Sequence, residues 1–151
     1  MPFSKAFIPY GGYWSTPFVK WQGSFADLHS LKFAAEVTKR ALLERQISPE
    51  VFSHLYLGLT IPAPQSFYGP PWLAGMIGAE GITGPMFAQA CATSARVIGS
   101  AAQALEAGGD EADQAILCVT ADRTSNGPHL LYPNPLGPGG RRRRSGDARA
   151  S

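Results

Sequence analysis

Between Thr93 and Leu105 the sequence TSARVIGSAAQAL has the length of a helix but no broad polar face. Val97, Ile98, Gly99, Ala101, Ala102, Ala104 and Leu105 surround it with small and apolar groups, and only Arg96, Gln103 and, just beyond, Glu106 are longer polar side chains. A helix lying on a surface keeps one polar side; a helix apolar all round is enclosed between layers. This segment therefore demands a layered fold, in which one sheet covers one side of it and something further covers the other.

The rest of the chain supplies pieces for such layers. KAFIPY, residues 5–10, ends at Gly11-Gly12 and reads as a first strand; LYLGLTI, 55–61, reads as a second, stopped by Pro62-Ala63-Pro64. A third fits Pro85 to Gln89, directly before Cys91. AILCVT, 115–120, is a fourth, expected to be fully buried because it lacks alternation. Helical patterns fall between them. From Asp27 onward Leu28, Leu31, Ala34, Ala35, Leu42 and Leu43 recur near one face, opposite Lys32, Glu36, Lys39, Arg40 and Glu44, with Glu36 and Arg40 spaced for an exposed pair. Ser48-Pro49-Glu50 is a helix-start signal. Pro70-Pro71 opens a helix through Ile77, ended by Gly78 or Gly81, and the Thr93 helix closes at Gly108-Gly109. Strands alternating with helices predict an α/β sheet with helices on its faces.

With 151 residues, 44% apolar and 16% charged, the chain suits one globular domain. No apolar h-region follows a basic N-terminus, and no run approaches the roughly 18 apolar residues of a membrane span, so a cytoplasmic or organelle-matrix protein is expected, cytoplasmic first. The net charge of +2 comes from the tail: residues 141–151 hold five arginines and one aspartate, and without them the chain carries 8 basic and 10 acidic residues, a net of −2. Such a body lacks the basic face that nucleic-acid binding requires. The tail itself, from Arg141 to Ser151, cannot bury apolar area and is expected to be disordered; its composition favours a segment without a role over a polybasic tag. Cys91 and Cys118 have no Cys or His neighbours at zinc-ligand spacing, so no metal is expected.

Cys91 lies in QACATSARVIG, where a strand gives way to a helix. Unpaired N–H groups and the positive dipole end favour a thiolate there. The effect is small, about 0.3–1 kcal/mol, against about 1.4 kcal/mol for each tenfold gain in thiolate, so a nucleophilic thiol so placed needs a base. His29 falls within the predicted first helix, His54 precedes a strand and His129 lies in a Pro-rich loop; nothing in the sequence marks any of them as that base. On pattern alone, Cys91 reads equally as a nucleophile and as a small buried side chain. Cys118, inside AILCVT, reads as core packing.

QACATSARVIGSAAQALEAG resembles the nucleophile segment of the thiolase family, in which Cys-Ala-Ser-Gly opens a buried helix. Ser15-Thr16-Pro17-Phe18 and Gly23-Ser24-Phe25 are similar to that family's early segments, AAEVTKRALLERQIS to its first long helix, LYLGLTIPAP to its next strand and loop, and ADRTSNGPHLL to the segment after the following strand. Thr93-Ser94 departs from the family's Ser-Gly, Ala88 stands where Asn is common, and Asp122-Arg123-Thr124 departs from its Glu-x-Met pattern. The resemblance covers roughly residues 5 to 140. It implies a thiolase-like N-terminal half over residues 1–140, with a mixed, mostly parallel sheet and helices on both faces. Cys91 would be the catalytic nucleophile, taking an acyl group from acetyl-CoA or a 3-ketoacyl-CoA and passing it to coenzyme A or to an acetyl-CoA carbanion. Coenzyme A would then be a substrate, with no permanently bound cofactor. The family's second cysteine and its histidines would come from a C-terminal half not found in this sequence, which would also cover the outer side of the Cys91 helix. The isolated chain would then be inactive, and the full-length family forms homodimers or homotetramers. A ketoacyl-synthase-type condensing enzyme and a non-catalytic scaffold of the same fold are the alternatives.

Overall fold

The computed structural model describes residues 3–108 and 114–129. The Arg-rich tail expected to be disordered lies outside these residues. Three strands, Phe52–Gly58 (β1), Met86–Phe87 (β2) and Ala115–Thr120 (β3), form a parallel sheet in the order β2-β1-β3. Among the described residues three α-helices accompany them: Ser30–Glu44 (α1), Gly69–Ile77 (α2) and Thr93–Ala107 (α3).

The two faces of β1 carry different partners, as the period of two requires. Leu55, Leu57 and, just past the strand, Leu59 join Leu117 and Val119 of β3 in a core with Leu31 and Ala35 of α1 and Leu73, Ala74 and Ile77 of α2. On the opposite face Gly58 gives α3 its seat. A Cβ added there would stand 2.8 Å from Thr93 Cγ2 and 3.0 Å from Val97 Cγ2, closer than packed atoms allow. Helices thus lie on both faces, as expected.

α1 buries the stripe Leu31, Ala35, Thr38, Ala41 and Leu42. Leu28 and Leu43, expected on that face, are exposed, because Leu43 is rotated about 100° from Leu42 around the helix. The helix begins at Ser30 rather than Asp27. His29, expected inside it, is instead its cap: Nδ1 accepts the Lys32 N–H, while Nε2 lies 2.7 Å from Pro64 O. The neutral tautomer that satisfies both contacts donates from Nε2, so one ring starts α1 and ties it to the loop after β1. The expected Glu36–Arg40 pair is replaced by Lys39–Glu36 at 2.7 Å and Arg40–Glu44 at 3.1 Å, exposed contacts of little energetic weight. α2 follows its punctuation: prolines in the first turn, and Gly78 at φ 85° closing the helix while Ala79 N–H reaches back to Ala74 O.

Three further expectations, all about strands, need correction. Residues 5–10 form no strand, because the backbone donors a ladder would use are taken: the N–H groups of Ser4, Lys5 and Ala6 all donate to Glu106 Oε1 on α3, at 2.7, 2.5 and 2.8 Å. β1 occupies 52–58 rather than 55–61, which places His54 inside the strand. It ends early because Asp122 accepts the Thr60 and Ile61 N–H groups at 2.8 and 2.9 Å. β3 has the expected bounds but buries only Leu117 and Val119, since it lies at an edge of the described sheet.

The Glu106 contact yields a pH prediction. Donation from Ala6 N–H, then from Lys5, holds its carboxyl down at about 2. A depressed carboxyl contributes fully above its unfolded value near 4.5, and that contribution is lost as pH falls toward about 2. Residues 3–12 should therefore become protease-sensitive across that acid window in the native chain, and already at neutral pH in Glu106→Gln.

Candidate active site

Parallel α/β sheets bind ligands at the carboxyl ends of their strands. Three connections converge at that end here. The loop after β1 (59–66) is gripped by the Asp122 carboxylate, which also accepts from Thr60 Oγ1. The segment after β3 holds the N-terminal chain: Ser125 Oγ accepts from Gln22 N–H at 2.7 Å, and Arg123 and Asn126 both donate to Ala26 O. The third connection runs from β2 into α3 and carries Cys91.

β2 is assigned only two residues, yet its ladder is longer. Leu55, Leu57 and Leu59 N–H donate in turn to Thr83, Pro85 and Phe87 O at 3.0–3.1 Å. Pro85 has no N–H to return, which shortens the regular strand from the expected 85–89. After Phe87 the chain turns sharply. Ala90 adopts φ 46°, in the left-handed region, and Ala90–Ala92 form one 3-10 turn before α3 begins at Thr93. The Cys91 thiol sits in that turn as a free, exposed group.

Thr93 stitches the turn together. Its Oγ1 accepts from Gln89 N–H and donates to Ala90 O, both at 2.8 Å, and the residue is 6% exposed. Neither Thr93 nor the strained Ala90 is among the residues that pattern reasoning marks as important. The hydroxyl two residues after the cysteine is the one available signal for the first, and nothing announces the second.

α3 buries Thr93, Val97 and Ala101 against the sheet. Its opposite side, expected to be enclosed, is open among the described residues, with Ile98 46% exposed. Beside the strand ends, Leu59, Pro62, Ala63, Phe67 and Met86 line an apolar hollow of about 380 Å3.

None of the three histidines has a hydrogen bond to the Cys91 turn among the described contacts. His29 caps α1, the ring of His54 on β1 lies 3.2 Å from Ser53 Oγ, and His129 is exposed. Among the described residues no three His, Cys, Asp or Glu side chains are grouped so as to hold a metal ion, and no helix is long and apolar enough to cross a membrane. Cys118 is half-buried on the sheet face that bears α3, and desolvation pushes its thiol up to about 11. With iodoacetamide near neutral pH, Cys91 should be alkylated first and Cys118 only slowly in the folded chain, as peptide mapping over time will read.

A three-stranded parallel sheet between helices is consistent with the fold of a thiolase-like half domain. The fold matches the crystal structure of the Bacillus anthracis acetyl-CoA acetyltransferase with a TM-score of 0.65 and 19% sequence identity, over 78% of this chain. The chain spans 29% of the length of that enzyme. No family model matches the sequence, and no curated protein matches it. The likeness is one of fold.

Proposed function

We propose that this chain is the nucleophile-bearing part of a thiolase-type acyltransferase, with Cys91 as the residue that accepts the acyl group. The observation that carries this reading is the exposed Cys91 thiol, in the turn that joins β2 to α3 on a fold shared with an acetyl-CoA acetyltransferase.

The chemistry follows from a thiol so placed. With acetyl-CoA, Cys91 sulfur attacks the thioester carbonyl. The new S–C bond forms as the bond to coenzyme A breaks, and the proton lost by the cysteine ends on the departing coenzyme A sulfur. With a 3-ketoacyl-CoA the attack falls on the keto carbon, the bond between it and the neighbouring methylene breaks, and the acetyl-CoA carbanion takes up the proton. The acyl group then leaves Cys91 for a coenzyme A thiol or for an acetyl-CoA carbanion, and the cysteine sulfur is released. Negative charge develops on the carbonyl oxygen in each attack. The Cys91 backbone N–H, at the positive end of α3, is the group of this chain suited to receive it.

Turnover also needs a base: His29 is committed by its ring contacts to capping α1, while His54 beside Ser53 and His129 after β3 are exposed and have no contact with Cys91 among the hydrogen bonds of the described residues. The reading therefore assigns the proton transfers of repeated turnover to polypeptide beyond this chain, and with it the cover for the open side of α3, while a single acylation of Cys91 needs only the thiol of this chain. Coenzyme A thioesters are the substrates, no resident cofactor takes part, and a homo-oligomer is the expected assembly.

Protection chemistry tests the proposal. After incubation with acetoacetyl-CoA, Cys91 should resist iodoacetamide, and hydroxylamine, which cleaves thioesters, should restore its alkylation. Cys91 alkylated equally with and without acetoacetyl-CoA would contradict the assignment.

A further inference from the structure

Thr93 has two chemically distinct halves, and each meets a different neighbour. Its methyl group faces the notch that Gly58 leaves on β1, where an added Cβ would come within 2.8 Å of it. Its hydroxyl is used twice, as acceptor from Gln89 N–H and as donor to Ala90 O, so its proton and a lone pair are both engaged. The Thr93 backbone N–H also donates to Ala90 O. These bonds converge on the peptide units just before Cys91, at the one point in this connection where a residue with a side chain is held at positive φ, Ala90 at 46°. An alanine adopts that conformation only where its surroundings impose it. Here the Thr93 hydroxyl bonds the Gln89 N–H before Ala90 and the Ala90 carbonyl after it, from a side chain anchored on the sheet by its methyl.

We propose that Thr93 is a positioning residue for Cys91: its hydroxyl fixes the left-handed turn at Ala90, and so aims the thiol and the Cys91 N–H together at one incoming carbonyl. The inference rests on the acyl-transfer reading of Cys91. It also explains why threonine serves here: serine would keep the clamp but lose the anchor, and valine would keep the anchor but lose the clamp.

That division supplies the test. Thr93→Val, Thr93→Ser and the native chain are compared by amide exchange at Gln89, by the rate of Cys91 alkylation with iodoacetamide, and by single-turnover acylation with acetyl-CoA over a range of concentrations. Thr93→Val should exchange the Gln89 amide at least about tenfold faster and lower the maximal acylation rate about tenfold or more, leaving the half-saturating acetyl-CoA concentration unchanged. Its alkylation should stay within about threefold of the native rate, because a small alkylating agent imposes little demand on orientation. Thr93→Ser, which keeps the clamp without the anchor, should fall between the native chain and Thr93→Val in both exchange and acylation rate. Should Thr93→Val not fold, the same substitution in the Ala90→Gly background keeps the question open to measurement, since glycine adopts the turn without a clamp. There the loss of the hydroxyl should slow acylation by less than about threefold.

Native exchange at Gln89 in Thr93→Val would overturn the clamp. Fast exchange with undiminished acylation would overturn the positioning role. A native chain that acetyl-CoA does not acylate would instead overturn the acyl-transfer reading, and with it the positioning of Cys91 for that reaction, while the exchange data would still decide whether the hydroxyl holds the turn.

Discussion

Gly84→Ala is expected to destabilise the chain by about 3 kcal/mol, the upper end of what over-packing ordinarily costs. A Cβ built on Gly84 stands 1.9 Å from Leu55 O and 2.8 Å from Leu55 C, both backbone atoms of the central strand. Neither can swing aside as a flexible side chain could. The added methyl must push β2 off β1 at the point where Pro85 already withholds a ladder donor. The three N–H bonds that Leu55, Leu57 and Leu59 give to this segment are then strained together. Urea unfolding should show a midpoint lowered by roughly 1–2 M with little change in slope. Gly75→Ala is the matched control. A Cβ there meets nothing within 4 Å in the interior of α2, and alanine should stabilise that helix by about 0.5–1 kcal/mol. Equal midpoints for the two variants would refute the account of how β2, and the turn beyond it, is held.

The second large effect concerns chemistry rather than stability. Cys91→Ser should reduce acyl transfer from acetyl-CoA to the chain by more than about a thousandfold, the scale on which removal of a nucleophile acts. Because the side chain is exposed, the unfolding free energy should stay within about 0.5 kcal/mol of native. Cys118→Ala should behave in the opposite way. It removes a half-buried group from the contact between β3 and α3 and costs stability, while acylation proceeds at the native rate. The pair of variants thus separates the two thiols by role.

Elements whose cause is local could be read directly from the chain. The prolines at 70 and 71 and the glycine at 78 bound α2 because proline fixes one backbone angle and glycine tolerates the left-handed cap. AILCVT gave β3 its bounds, and the small-residue helix after Cys91 was found at Thr93–Ala107, behind a 3-10 turn at Ala90–Ala92 that was not expected. What failed was set by partners distant in sequence. The N-terminal run looked like a strand until Glu106, about 100 residues away, claimed its donors. Residues 59–61 looked like β1 until Asp122 took two of theirs. His29 could be placed within a helix by periodicity, but its capping role depends on where Pro64 lies.

The candidate site divides the same way. A cysteine at a strand-to-helix junction is visible in ACATS, and the thiolase resemblance built on it agrees with the fold, though no family model matches the sequence. The positive φ at Ala90 and the double use of the Thr93 hydroxyl are products of the folded turn, and alanine in particular gives no warning that its backbone is strained.

The central claim is that Cys91, and no other group of this chain, accepts an acyl group from a coenzyme A thioester. Mass spectrometry after incubation with acetyl-CoA, on the native chain, Cys91→Ser and Cys118→Ala in parallel, tests it most directly. The account predicts a single acetyl group on the peptide that contains Cys91, retained in Cys118→Ala and missing from Cys91→Ser. An unmodified native chain, or an acetyl group that persists in Cys91→Ser, would contradict it.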